Sequence, residues 1–399
     1  MHSAPAPSSI DIQKTPLKAV LVVAGEASGD LHGTEILKAL KALKEMQPDL
    51  RIIGIGGEGM SPFLDRKLAD VRDLGVVGFV EVIRHYPALR RLYNQILQVV
   101  EEEDIGAVLT IDYPGFNLKL AKELRRTRPG IRLHHFVCPQ VWAWKAGRIP
   151  GIGQTLDALY CLFDFEPVLF KNYPVAALWV GNPLVEKVVP ETDRVTFFQG
   201  TGLDPTRPLV ALLPGSRWGE VQRLLPVMAE MVRQWPDPAT QWVLPVANTL
   251  SDALIQTHIQ GTTILPVRNL GYAARAFADA ALVCSGTATL ETALLGTPFA
   301  ILYKLHPLTY WIAKVLVKVK HFGLANIVAG KEVAPELLQA EVNPERLKRE
   351  LLRLLDPAQA PAIRADLAET RSHLGEAGAA KRVAEHFSRG LRTSSPTPP

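Results

Sequence analysis

Residues 22–33 read VVAGEASGDLHG. The apolar run at 19–23 before them is a buried strand by its pattern, and Gly25 and Gly29 mark a turn. Asp30 then opens a segment that sets Ile36, Leu37, Leu40 and Leu43 on one helical face. Strand, glycine turn and helix make the repeating unit of a parallel α/β sheet. The glycine spacing matches neither the P-loop nor the dinucleotide fingerprint. In place of a phosphate cradle the turn offers Glu26, Ser28 and Asp30, and the expectation is that Ser28 and Asp30 meet sugar hydroxyls or cap the helix.

The same alternation runs outward in both directions. Further strands are expected at 51–55, 106–111, 131–137 and 157–162, and a second series at 209–213, 241–246, 262–266, 280–284 and 298–303. Between the series, Pro183, Pro190, Pro205 and Pro208 gather in a stretch that reads as a linker. The chain of 399 residues exceeds one ordinary core, and 47% hydrophobic with 21% charged residues is a globular composition. The expected organisation is a tail over 1–17, a first domain over 18–186 and a linker over 187–207. A second domain over 208–360, C-terminal helices over 361–390 and a tail over 391–399 complete it. Two doubly wound domains holding a ligand between them at the carboxyl ends of their strands is the architecture this favours.

A formal charge of +4 suits an anionic ligand or membrane surface and does not require nucleic acid. Cys138, Cys161 and Cys284 show neither a disulfide framework nor zinc spacing, which suits a reducing cytosol. No apolar run reaches the roughly 18 residues of a spanning helix.

Gly54–Gly59 (GIGGEG) does fit G-x-G-x-x-G, but it follows the second strand and Pro62 interrupts the helix that dinucleotide binding needs. It reads as a tight turn. Better anion sites lie in the second series. LPGSR brings Gly215, Ser216 and Arg217 between a strand and a helix, where free N–H groups, the helix dipole and a guanidinium converge. CSGTATLE repeats the arrangement with Ser285, Gly286 and Thr287, and Glu291 is placed to accept ribose hydroxyls. Without clustered carboxylates or a D-x-D pair there is no evident divalent-metal site, so Arg217 and the helix termini would carry the charge of a diphosphate.

In the first series Asp112 ends a strand and is a general-base candidate, with Tyr113 expected to be extended before Pro114. Trp142 and Trp144 sit beside Lys145 and Arg148, facing one way on a strand or filling core. Residues 74–83 and 310–324 set apolar side chains beside basic ones, a pattern that suits an anionic bilayer surface.

GEASGD (25–30), the DxPxFN pattern at 112–117, PQVWAW (139–144), LPGSR (213–217), SGTATLE (285–291) and NIVAGKEVAPELLQ (326–339) occur in this order. Together they resemble the lipid-A-disaccharide synthases, and the likeness spans nearly the whole chain. The resemblance implies a GT-B fold: two Rossmann-like domains facing a central cleft. It implies inverting transfer of diacylglucosamine from its UDP derivative to the 6-hydroxyl of diacylglucosamine 1-phosphate, releasing UDP, with no metal or organic cofactor. It assigns Asp112, Arg217 and Asn326 to catalysis. Gly25, Glu26, Ser28, Gly29, Asp30, Asn117 and Trp142, with Gly215, Ser216, Ser285, Gly286, Thr287 and Glu291, go to substrate binding. It further implies a cytoplasmic enzyme held peripherally at the inner membrane, compatible with a homodimer that exchanges C-terminal segments. Gly115 stands where relatives often carry an acid, which leaves open whether Asp112 has a second carboxylate beside it, and Ala325 where they often have proline.

Three other readings compete: an enzyme of UDP-N-acetylglucosamine, a Rossmann oxidoreductase and a non-catalytic lipid carrier. The PQVWAW and NxxAG blocks argue against the first, and Pro62 against the second.

Overall fold

The computed structural model describes residues 18–44, 49–74, 79–305 and 320–392. The chain divides into two compact units. The first holds the chain to Val141, then Gly147–Val180 and everything from Gly378; the second holds Trp142–Ala146 and Gly181–Ala377.

The first unit is built on β1 (Ala19–Ala24), β2 (Arg51–Ile55), β3 (Arg66–Ala69), β4 (Ile105–Ile111), β5 (Arg132–Phe136), β6 (Ala158–Cys161) and β7 (Ala176–Trp179). They form one sheet in the order β3-β2-β1-β4-β5-β6-β7, parallel throughout. Every residue of β1 is buried, which explains its unbroken apolar run. Helices α1 (Ala27–Lys44), α2 (Val71–Leu74), α3 (Phe79–Glu102), α4 (Pro114–Thr127) and α5 (Ile149–Thr155) connect the strands. Leu21, Val23, Val108 and Leu133 face Ile96, Val99, Leu120 and Leu124 on one side of the sheet. Val20, Val22, Leu109 and Phe136 meet Ile36, Leu37 and Leu40 on the other, together with Val383, Ala384 and Phe387.

Those last three residues belong to the C-terminal helix Ala379–Arg392, which packs along α1. The expected group of C-terminal helices at 361–390 is therefore split. Ala360–Ser372 contributes Leu367 to the second unit's core, and the final helix completes the first. Beneath it, the Tyr160 hydroxyl lies 2.8 Å from His134 Nδ1 and 3.0 Å from His386 Nδ1. Burial pushes His134 down to about 3, so a neutral ring meets the phenol.

The expected linker at 187–207 is not one either. After α6 (Leu184–Lys187), Asp193 caps α7 (Arg194–Thr201), and Phe197 and Phe198 are buried in the second unit. The prolines flank this helix and leave its apolar face intact.

The second sheet runs β10-β9-β8-β11-β12-β13, again parallel. Its strands are β8 (Leu209–Leu213), β9 (Gln241–Pro245), β10 (Ile264–Val267), β11 (Ala280–Cys284), β12 (Phe299–Tyr303) and β13 (Glu336–Leu338). Between them lie α8 (Trp218–Arg233), α9 (Asp252–Ile259), α10 (Gly271–Ala276) and α11 (Thr287–Leu294), with a further short helix at Leu324–Ala329. Val221, Leu224, Leu225, Met228 and Val232 form the buried stripe of α8 that the sequence spacing predicts.

Strand order reverses between β1 and β4 in one sheet and between β8 and β11 in the other. A crevice opens at such a switch point, because the flanking connections leave on opposite sides. GEASGD and Asp112 follow β1 and β4; LPGSR and SGTATLE follow β8 and β11.

Phe387 is fully buried. Phe387→Ala is expected to cost about 3–5 kcal/mol in denaturant unfolding. A loss below about 1 kcal/mol would mean that the final helix does not close this core.

Candidate active site

In the first unit Asp112 and Tyr113 both take left-handed backbone conformations, φ 51° and 47°. Tyr113 is thus not extended: it caps α4, whose first residue is Pro114. Its side chain fills the space over Gly25, so a Cβ on Gly25 would overlap it. Asn117, wholly buried, ties the turn down by donating to the carbonyls of Ile111 at 3.2 Å and Asp112 at 2.7 Å. On the neighbouring strand end Val137 also has positive φ, at 74°. Such geometry costs about 1–3 kcal/mol per residue and persists where the surroundings impose it.

The turn aims the Asp112 carboxylate at Glu26 and Ser28 of the GEASGD turn. One Asp112 oxygen accepts the Tyr113 N–H at 2.8 Å, and the Ser28 hydroxyl donates to Glu26 at 2.9 Å. Burial, then the Glu26 charge, push Asp112 up to about 6; the Tyr113 N–H and the Ser28 hydroxyl pull the other way. The second carboxylate beside Asp112 is therefore Glu26, from the β1–α1 turn, with Gly115 playing no such part.

Asp30 does something else. Its buried carboxylate accepts the N–H groups of Gly57 at 2.6 Å, Gly59 at 3.1 Å and Met60 at 3.1 Å. Instead of a sugar it grips the GIGGEG turn, and a Cβ on Gly57 or Gly59 would press on Asp30 or Thr34. Of the glycines in this turn, Gly57 and Gly59 serve this contact, while Gly54 and Gly56 make room for the Val22 carbonyl and Met60.

Trp142 and Trp144 lie in a turn with no strand; Trp142 is half-buried, and the exposed Trp144 ring carries the Lys145 ammonium 3.8 Å from its centre. Of the two apolar–basic segments, residues 75–78 and 310–319 lie outside the described residues.

In the second unit the N–H groups of Ser216 and Arg217 are not free. The Glu220 carboxylate accepts them at 3.2 and 3.3 Å and pairs with Arg217 Nη1 at 3.0 Å. Gly215, at φ 112°, makes room for that carboxylate. Arg217 itself is exposed. The second turn differs: Gly286 has φ 145° and open space around it, Thr287 is exposed, and the Ser285 hydroxyl donates to the Phe322 carbonyl at 3.1 Å. Glu291, about one and a half turns along from Gly286, is held by Arg275 at 2.7 Å and Tyr272 at 3.4 Å.

Asn326 does not face a ligand. Its amide oxygen accepts Val333 and Ala334 N–H at 2.8 and 3.0 Å, while its nitrogen donates to the Ala334 carbonyl and to Glu336. All of its capacity goes into folding the 326–336 loop.

Residues 20–388 match the family model described as lipid-A-disaccharide synthetase. The chain belongs to that family. It is 40% identical over 374 residues to the lipid-A-disaccharide synthase of Geobacter metallireducens, covering 92% of this chain and 96% of the relative. The enzyme of the same name from Syntrophus aciditrophicus is 41% identical over 373 residues, with 92% and 96% covered. Like them, this synthetase is a glycosyltransferase that forms the lipid A disaccharide.

Solved structures share the fold at low identity. The calicheamicin glycosyltransferase CalG4 aligns with TM-score 0.60 at 14% identity, over 95% of this chain and 100% of that one. The UDP-N-acetylglucosamine 2-epimerase of Neisseria meningitidis aligns with TM-score 0.60 at 12% identity, over 93% and 100%. The two parallel-sheet units are thus those of the GT-B fold.

This synthetase also brings Cys138, Cys161 and Glu166 together, their ligand atoms within 4.8 Å, in the one such cluster of metal-ligand type among the described residues. Glu166 accepts the N–H groups of Leu162 and Phe163 at 2.9 and 3.1 Å. The neighbouring Cys161, burial and the Glu166 charge drive the Cys138 thiol far up, so it is protonated as the cluster stands. Spacing along the chain could not reveal this meeting of two strand ends.

Asp30→Ala is expected to cost about 3 kcal/mol, since the buried N–H groups of Gly57 and Met60 lose their acceptor. Urea unfolding measures it, and a change under about 0.5 kcal/mol would show that the GIGGEG turn stands without the carboxylate.

Proposed function

We propose that the synthetase divides its reaction between the units, with the acceptor's base in the first and the diphosphate site in the second. Asp112 takes the proton of the 6-hydroxyl of diacylglucosamine 1-phosphate as that oxygen attacks the anomeric carbon of UDP-diacylglucosamine. The bond from this carbon to the diphosphate breaks, the configuration inverts, and UDP leaves. Arg217 and the N-terminus of α11 stabilise its negative charge, and Glu291 receives the ribose hydroxyls. Asn326 holds its loop and takes no part in bond making. The enzyme works on the cytoplasmic face of the inner membrane, where its acylated substrates reside.

The observation that carries this reading is the carboxylate pair at the β1–β4 switch point. A carboxyl pushed up to about 6 remains ionised at neutral pH and is more basic than an ordinary aspartate. Its sign is definite: the base is present above pH 6 and lost as pH falls through 6. Removing the Glu26 charge relieves part of the upward shift, so the Asp112 value drops.

UDP release should depend on the acceptor and yield a disaccharide phosphate, in detergent with EDTA. Acceptor-independent turnover would point instead to the chemistry of a 2-epimerase. Asp112→Asn is expected to lower kcat by about 10²–10⁴ with little change in UDP affinity, and unimpaired turnover would remove Asp112 as the base. Arg217→Ala should weaken UDP binding about tenfold or more. In a kcat/KM profile the acidic limb, near pH 6 in the wild type, should move to lower pH in Glu26→Gln. A limb that stays in place would separate Glu26 from the titrating group.

A further inference from the structure

Glu291 is the carboxylate assigned to the ribose, and its own surroundings are unusually specific. One oxygen accepts the Tyr272 hydroxyl at 3.4 Å, the other the Arg275 Nη1 at 2.7 Å. Arg275 is buried, donates through Nε to the Gly271 carbonyl at 2.9 Å, and stacks over the Tyr272 ring at 4.8 Å. Its carbonyl is held in turn by the Thr297 hydroxyl at 2.7 Å. The helix that carries both residues, α10, is fixed at its start by Glu191, which accepts the N–H groups of Tyr272 at 2.9 Å and Ala273 at 2.7 Å.

A carboxylate has about four acceptor directions, two on each oxygen. Here one direction on each oxygen is filled from α10, so the plane of the group is fixed by that helix. What remains is one acceptor direction per oxygen, the number that a vicinal diol satisfies with two hydroxyl donors. A carboxylate anchored on only one oxygen would rotate and accept either hydroxyl alone with little discrimination.

We propose that Tyr272 and Arg275 are positioning residues that lock Glu291 for bidentate capture of the ribose 2′- and 3′-hydroxyls, and so set the enzyme's preference for ribonucleotide over 2′-deoxyribonucleotide donors. This rests on the assignment of Glu291 to the ribose. Both residues bond the carboxylate and act through its orientation. Tyr272→Phe removes one hydroxyl from a half-buried ring and leaves the Arg275 stack in place. Arg275→Lys keeps the charge but loses the fork that spans Gly271 and Glu291.

The test is titration calorimetry of the whole enzyme with UDP and with 2′-deoxy-UDP, read as the ratio of their dissociation constants. The wild type is expected to favour UDP by about tenfold or more, the worth of a hydrogen bond to a charged acceptor. Tyr272→Phe and Arg275→Lys should each shrink that ratio by about threefold, and Glu291→Gln should shrink it at least as far. Adding Tyr272→Phe to Glu291→Gln should change the ratio no further, because residues acting through one group are not additive. A merely structural role for α10 would weaken both nucleotides equally and leave the ratio alone, which overturns the proposal. Should Glu291→Gln itself leave the ratio unmoved, the ribose assignment fails and takes the proposal with it. A shift in Glu291→Gln with none in Tyr272→Phe or Arg275→Lys refutes the locking alone.

Discussion

The Tyr113 side chain lies over Gly25, and the first unit's site depends on that contact. Gly25 begins the turn after β1, and Tyr113 begins the helix after β4, the two strands between which the sheet order reverses. Only a residue without Cβ admits the ring. The ring's position in turn requires the left-handed pair at Asp112 and Tyr113. Asn117 secures that pair from inside the helix, and Asp30 secures the other side by binding the amides that follow β2. The Asp112 carboxylate is then left beside Glu26 with no choice of orientation. Its raised proton affinity follows from where the backbone has put it.

The second unit solves the anion problem differently at its two turns. The turn after β8 is already occupied by an anion of its own, the Glu220 carboxylate, which also steadies Arg217. The turn after β11 has no such internal partner at Gly286, and its helix carries Glu291 further along. One turn therefore presents a guanidinium and the other presents amides. These complement each other as donors to a charged leaving group.

Much of this was legible in the chain. Buried parallel strands such as AVLVVA and AALVC announce themselves, because both faces are covered. The edge strands RKLA, AALW and ELL do not, being short and half-exposed. Asp112, Arg217 and Glu291 stand out in the sequence as candidates by residue type near strand and helix ends. Their partners Glu26, Arg275 and Tyr272 were not assigned to them, since each meeting joins different connections of the sheet. Asp30 and Asn326 misled for one reason: a polar side chain at a helix beside a glycine-rich loop looks the same whether it serves a ligand or the loop's own amides. The Glu220 contact had a local signal, an acid three residues after the start of a helix. The extended shape expected of Tyr113 follows a steric rule for residues before proline, and here tertiary contacts overrule it.

The last helix also bears on how the protein comes into being. Val383, Ala384 and Phe387 cover one face of a sheet whose first strand begins at Ala19. During synthesis the second unit, through Ala377, emerges before that cover does. The first sheet must therefore wait, with part of one apolar face unshielded, while nearly two hundred residues (181–377) are added. The order of completion is reversed relative to the order of translation. A ribosome stalled anywhere in the second unit would hold a nascent chain whose earlier unit is still unfinished.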